Sequence, residues 1–461
     1  MSDKHSIELL SEPAPTTFIP YIGLTAAIVL LAGVSFGAGD VIVARLGALE
    51  DMPIAPELAS IVLFGLCSFA SFYATRNTPL PSFVVAIALG MAGHQLFAPI
   101  VGNPAILASL VTGSAAVILF GGGLEMPLRD FIRLFLKIAL LAFPGVLITG
   151  FALSLTVGSL ANALGFVIAP AVVILLGAIL ASTDPAAIIP VLENVKFKRR
   201  DPKDIVVAES ALNDVVGTLL TSVFLKLSLA TTTLVAAYAA LASAGTAVFL
   251  FKQSAFGLAF GVLGFGLLTL LSRMKQGHQG ATFGADHIYF LAIPILSFVA
   301  AATFGGSGFL AAFVAGLLFK AEDHMHEIER FFFQIIDGVA KPIIFLLVGA
   351  LVDIHALLRF APLGILVALV FIFIIRPFMV FLVLGPFSWK KTNGLSLNEL
   401  FFISFVRETG AIPAVLLVTA VARLAAPVSG LVEIGMWVIL LTLIISPPLT
   451  PFVARKLGVA T

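Results

Sequence analysis

One cysteine in 461 residues leaves no partner for an internal disulfide and no pair for a thiolate metal cluster. That residue, Cys67, lies inside an apolar run and reads as packing. Charge is equally scarce. Asp, Glu, Lys and Arg make up 11% of the chain, against about 25% in an ordinary soluble domain. So little charge cannot cover a solvated surface, which excludes a water-soluble globule. The net charge of +1 offers no reason to expect nucleic acid, whose binding needs a marked positive excess. No polar run is long enough to form a soluble nucleotide-binding module, and Trp and Tyr number only 2 and 4. What is abundant agrees with this. Hydrophobic residues reach 60% with 41 Phe, and the mean hydropathy is +1.13. The 40 Gly and 25 Pro suit membrane-spanning helices, which tolerate both better than soluble ones do.

A helix needs about 20 apolar residues to cross a bilayer. Such runs occur near 20–46, 57–75, 80–100, 105–124, 131–156, 163–192, 204–230, 253–272, 287–304, 307–320, 339–354, 358–385, 397–423 and 430–454. The fold class is therefore an all-α polytopic membrane protein of about fourteen helices. A further stretch, 234–251, is rich in Ala and Thr and only weakly hydrophobic. Basic residues cluster at Arg129/Arg133/Lys137, Lys196 to Lys203, Arg273/Lys275, Lys320/Arg330, Lys390/Lys391 and Arg455/Lys456. Fourteen crossings put all of these on one side, as the positive-inside rule requires, whereas a crossing at 234–251 would reverse the later clusters. That stretch is expected to be a partly embedded or interfacial connector, with both termini in the cytoplasm. Residues 1–19 hold Asp3, Glu8 and Glu12 against Lys4 alone, a poor start for a cleaved signal peptide, and read as a cytoplasmic tail. The organisation expected is an additional helix and loop over 20–56, a first half over 57–230, a connector and linking helix over 231–286, and a second half over 287–461.

Charged side chains inside spans cost about 2.5–3.5 kcal/mol each on insertion scales and mark ion or substrate paths. In the sixth run, Thr183-Asp184-Pro185 interrupts some thirty apolar residues. Proline removes a backbone donor and disfavours helix at the residue before it, so the span should break there and free the carbonyls of Ala181 to Thr183. Asp184 can also cap the second half-helix. The seventh run carries Glu209, Ser210, Asn213 and Asp214, with Glu209/Asn213 and Ser210/Asp214 each four apart on one helix face. Such hard oxygen donors suit an alkali cation better than a transition metal. Two carboxylates cannot both stay charged and unpaired in low dielectric, so one needs a cation, from Arg376, Arg407 or Lys341. Arg407 and Glu408 precede Gly410 and Pro413, which makes 397–423 a second helix expected to unwind. Two interrupted helices in corresponding places of two halves point to a binding site in an inverted-repeat transporter. Glu125, Asp353 and Glu193 lie near span ends, where solvation accounts for them. His94 and Asp40 are isolated, and Lys226 is expected to snorkel to the outer interface.

Thr183-Asp184-Pro185 followed by Glu209-Ser210-x-x-Asn213-Asp214 resembles the sodium/proton exchanger superfamily of monovalent cation/proton antiporters, in the branch with Asn-Asp where the electrogenic branch has Asp-Asp. Supporting stretches are FGGGLEMPLRD (120–130), GGSGFLAAFVAGL (305–317), KPIIFLLVGALVDI (341–354), Arg376-Pro377 and RETGAIP (407–413). The resemblance covers about residues 57 to 455. It implies a homodimer in which each protomer's thirteen helices form a dimerisation part and a mobile core, with the interrupted helices crossing. It further implies a cation held by Asp214, Glu209, Ser210 and the backbone carbonyl of Thr183. Asp184 would balance the half-helix ends, Asn213 would hold neighbouring groups and Arg376 would pair with Glu209. No cofactor is implied. The first run is additional to that pattern, and Glu408 stands where many relatives have glycine.

Together these features lead us to expect a secondary antiporter of the cell's inner membrane, exchanging Na⁺ or K⁺ for H⁺ at one carboxylate by elevator-type alternating access. With Glu209 held by a fixed arginine, exchange is expected to be one for one and electroneutral. It would regulate cytoplasmic pH and cation content. The alternatives are an organic-anion carrier on a similar crossed-helix fold, which would want unpaired Arg or Lys at the breaks, and a passive cation channel, which would need a continuous polar pore.

Overall fold

The computed structural model describes residues 19–49, 51–75, 82–183, 191–192, 195–227, 233–277, 284–388, 394–424 and 428–460. Among these residues the regular structure is helical, apart from one isolated bridge between Phe197 and Ala460. The helices run α1 (Ile19–Gly47), α2 (Ala55–Thr75), α3 (Ser82–Ala92), α4 (His94–Val101), α5 (Pro104–Leu124), α6 (Leu128–Ala142), α7 (Pro144–Ala163) and α8 (Pro170–Leu180). After these come α9 (Asp201–Lys226), α10 (Leu234–Ala239), α11 (Ala244–Gly277), α12 (Gly284–Thr303), α13 (Gly308–Leu318) and α14 (His326–Ile335). The last are α15 (Lys341–Ala350), α16 (Ile354–Val370), α17 (Arg376–Leu384), α18 (Leu397–Phe405), α19 (Ala411–Arg423) and α20 (Leu431–Lys456).

Local sequence sets many of these ends. Proline opens α5, α7 and α8, where a missing N–H costs nothing. Asn103 and Ser307 cap α5 and α13 through their side-chain oxygens, and Ser396 with Glu399 forms a capping box at α18.

Among the described residues, ten helical segments are long and apolar enough to cross a membrane, and α3 with α4, bent by 91°, makes up to eleven. The other three apolar runs fall on short helices: α8 and α13 of 11 residues and α19 of 13. Among its described residues the run 163–192 is helical over 170–180 and again at 191–192, and Gly165, with φ at 75°, turns the chain ahead of Pro170. The run 131–156 widens to 128–163 and is interrupted at Phe143 ahead of Pro144. The stretch 234–251 forms no separate membrane-length helix. It divides between α10, capped by Thr233, and the first turns of α11, a helix of 34 residues. The linking helix is thus longer than the run 253–272, taking in Val248 to Phe251 ahead of Lys252.

Glycines bring neighbouring helices into backbone contact. A Cβ on Gly316 of α13 would lie 2.1 Å from the Phe120 carbonyl oxygen of α5, and one on Gly123 would lie 2.4 Å from the Phe313 carbonyl oxygen. Small residues at such crossings are how helices associate where lipid provides no hydrophobic drive. Burial is uneven along the chain. The apolar window of α1 is 11% buried and that of α9 is 83% buried, which makes α9 the central helix and α1 a peripheral one. α1 docks on α4 where the Gln95 backbone N–H donates to Ser35 Oγ at 3.1 Å.

Candidate functional site

The central helix α9 carries Glu209, Ser210, Asn213 and Asp214, none of them more than 6% exposed. The four-residue spacing does what it predicts, placing them on two adjoining stripes. Facing them is the end of α8, where Ser182 and Thr183 have left the helix. Ser182 Oγ donates to Asp214 Oδ1 at 2.6 Å. Asn213 Nδ2 donates to Thr183 Oγ1 and to Glu209 Oε1, both at 3.0 Å. Thr183 Oγ1 in turn donates to Ser210 Oγ at 3.5 Å. The amide therefore holds the α8 terminus and the Glu209 carboxylate in one network. Asn213 Oδ1 is buried without a hydrogen-bond partner among the described residues. Asp184 and Pro185 lie outside the described residues, as does Glu193.

The second carboxylate has its cation. Arg376 donates through both terminal nitrogens to Glu209, at 3.1 Å to Oε1 and 2.7 Å to Oε2, and each side chain is 1% exposed. A bidentate guanidinium–carboxylate pair is the strong form of this interaction. Arg376 reaches inward from an unusual backbone. Residues 371–375 form a π-helical turn in which the Arg376 N–H bonds to the Phe371 carbonyl, five residues back, just ahead of Pro377. Lys341-Pro342 repeats the device after a π turn at 336–340. Proline cannot donate to the carbonyl four residues earlier, and widening the turn accommodates that loss. Lys341 itself pairs with Asp337 at 2.6 Å rather than with Glu209.

The second interrupted helix meets the first. Between α18 and α19, residues 406–410 leave the helix, and Arg407 extends from them to the Ala181 carbonyl oxygen at the end of α8. Its guanidinium also lies 4.8 Å from the ring centroid of Phe371. A carbonyl expected to be left open for a ligand is thus occupied by an arginine, which suits the negative end of a helix. Arg407 lies within electrostatic range of Arg376, Glu209 and Asp214. Glu408 and Thr409 beside it are buried, at 2% and 0% exposure.

Among the site acids, Asp214 lines a cleft that Glu209 does not. Its walls include Gly121, Gly122, Ala211, Phe333 and Ile336, and Glu125 and Lys341 stand in it as well. Glu125 is exposed, as a span-end residue should be, yet it shares the cleft of Asp214, which its sequence position did not disclose. Ser182 was also missed. Its signal was only a hydroxyl placed one residue before Thr183. Of the two isolated groups, His94 has a local partner, its Nδ1 lying 2.6 Å from the Ala350 carbonyl oxygen; Lys226 Nζ lies 4.3 Å from the Phe249 ring centroid.

The sequence pattern of the family described as sodium/hydrogen exchanger, transmembrane, matches residues 58–456. The chain belongs to the sodium/hydrogen exchanger family. Exchanger relatives with named activities include the K(+)/H(+) antiporter NhaP of Alkalimonas amylolytica, 31% identical over 370 residues, covering 77% of this chain and 59% of that protein. Another is the Na(+)/H(+) antiporter 1 of Methanocaldococcus jannaschii, 28% identical over 256 residues, covering 53% of this chain and 55% of that protein. The chain therefore spans less than two thirds of the length of either relative. The solved structure of the sodium proton antiporter MjNhaP1 from Methanocaldococcus jannaschii at pH 8 shares the fold, with a TM-score of 0.63 and 21% identity over 87% of this chain and 99% of that one. The family is one of transporters. The match begins at residue 58, so α1 stands outside it.

Proposed function

We propose that the protein is a secondary antiporter that exchanges Na⁺ or K⁺ for H⁺ at Asp214. The observation that carries this reading is the division of labour between two buried acids. Both oxygens of Glu209 are engaged by Arg376, while Asp214 borders the cleft. In this reading an ionised Asp214, with Ser210 and Thr183, receives a dehydrated cation, and a protonated Asp214 cannot. Glu209 serves the site chiefly by neutralising Arg376 and anchoring Asn213. One carboxylate with two mutually exclusive guests gives one cation per proton, which moves no net charge. If the core crosses loaded with either guest and poorly when empty and charged, the gradient of one ion drives the other without ATP or a cofactor.

The reading extends to the whole assembly. The halves over 57–230 and 287–461 act as inverted repeats, their interrupted helices crossing at the site. The first is joined to the second by the connector of 231–286 and preceded by the peripheral segment 20–56. A mobile core moves by an elevator step against a dimerisation part in a homodimer. The protein sits in the inner membrane with both termini cytoplasmic, where it sets cytoplasmic pH and cation content. The engagement of Arg407 by the Ala181 carbonyl and the Phe371 ring argues against the organic-anion alternative, which needs that arginine for its substrate.

The test is Asp214→Asn in proteoliposomes loaded with a pH-sensitive dye and challenged with NaCl, KCl or LiCl. The variant is expected to remain folded and membrane-inserted while exchange is lost, and retained cation-dependent proton flux refutes the assignment. A potassium/valinomycin clamp leaves the rate unchanged if exchange is electroneutral. Conductance insensitive to a proton gradient would establish a channel instead.

A further inference from the structure

We propose that Ser182 is a positioning residue for Asp214, holding the carboxylate in the orientation that accepts the cation and thereby setting cation affinity. This rests on the antiport reading above. The Ser182 hydroxyl is 0% exposed and donates to Asp214 Oδ1 at 2.6 Å, with Asp214 itself 2% exposed. The torsion that rotates an aspartate carboxylate is broad, so a carboxylate on a helix needs an external donor to fix it.

Ser182 is placed to be that donor by restraints on both of its neighbours. The Ala181 carbonyl is held by Arg407, and the Thr183 hydroxyl accepts from Asn213 at 3.0 Å. Its own N–H bonds to the Ile179 carbonyl at 3.3 Å. Gly217, one turn beyond Asp214 on α9, supplies the room. A Cβ there would lie 2.6 Å from Ser182 Cβ and 3.2 Å from Ser182 Oγ, so a larger residue would drive the serine away from the aspartate. Packing alone would be served by alanine at 182. A hydroxyl buried this deeply is costly unless it is hydrogen-bonded, and its bond is to Asp214.

The test is transport by the full chain in proteoliposomes at fixed pH, titrated with NaCl and separately with KCl. Ser182→Ala, which removes one oxygen without adding bulk, is expected to raise the apparent KM for the transported cation by roughly five- to tenfold, as loss of one buried hydrogen bond implies. The maximal rate should be little changed. Gly217→Ala, which leaves every hydroxyl in the sequence, should raise the KM in the same direction by displacing Ser182. A purely structural role would lower the maximal rate without moving KM. Unchanged or lowered KM in Ser182→Ala overturns the inference while exchange by the unaltered protein leaves the antiport reading standing. If Ser182→Ala does not fold, Gly217→Ala decides alone, and a KM equal to that of the unaltered protein overturns the inference. Absence of cation-dependent proton flux in the unaltered protein removes both.

Discussion

The pair formed by Arg376 and Glu209 should be a principal determinant of stability as well as of site charge. Replacing Arg376 by Met removes two charge-assisted hydrogen bonds from a carboxylate that is 1% exposed. Hydrogen bonds to charged groups contribute about 1.5–3 kcal/mol each, and leaving one member of a buried pair uncompensated costs about 3–5 kcal/mol. Asn213 still donates to Glu209 Oε1 at 3.0 Å, which softens the loss and favours the middle of that range, about 4 kcal/mol. The double variant Arg376→Met with Glu209→Met removes the orphaned charge along with its partner. It should recover most of the stability, since apolar replacement of a whole buried pair is often neutral; with each single variant costing about 4 kcal/mol and the double variant about 0–2 kcal/mol, the coupling is about 6–8 kcal/mol. Unfolding of the purified protein in detergent, followed by intrinsic fluorescence for both single variants, the double variant and the parent, measures that coupling. Single-variant losses that simply add in the double variant would refute the reasoning, because the two side chains would then not be acting on each other.

Other predictions concern access and packing. Glu125→Gln should weaken apparent cation affinity by roughly two- to threefold at low ionic strength and not at high salt, because an exposed carboxylate in the cleft attracts cations through a screened field; cation titrations of transport at two ionic strengths check this. Gly316→Ala would set a methyl group 2.1 Å from the Phe120 carbonyl oxygen and should destabilise the α5–α13 contact by about 1–3 kcal/mol, read as a lowered Tm, with Gly266→Ala, which meets open space, as the neutral control.

Parts of the site could be read before any coordinates. Polar groups four apart on one span had to share a helix face, so the association of Glu209 with Asn213 and of Ser210 with Asp214 followed from spacing. A carboxylate in an apolar span demanded a cation, and the candidates were few enough to name. Choosing among them was another matter. Arg376, Arg407 and Lys341 are all basic residues in or at the start of apolar runs. The structure gives Glu209 to Arg376, the Ala181 carbonyl to Arg407 and Asp337 to Lys341. Side-chain reach across 167 or 226 residues of sequence is set by how helices pack, which hydropathy does not encode.

Composition alone put this chain in a membrane, because charge at 11% cannot clothe a soluble surface and an unpaired backbone cannot cross lipid except as helix or closed barrel. The order of the apolar runs and the placement of acids within them came from the sequence too, since both depend only on local patterns of transfer free energy. Tertiary structure decided which carboxylate is pinned and which borders the cleft, brought Glu125 and Ser182 to Asp214 from other helices, and set the π turn that aims Arg376 inward. Those outcomes depend on close backbone approach at residues such as Gly217 and Gly316, where the absence of a side chain matters only once the opposing helix is in place.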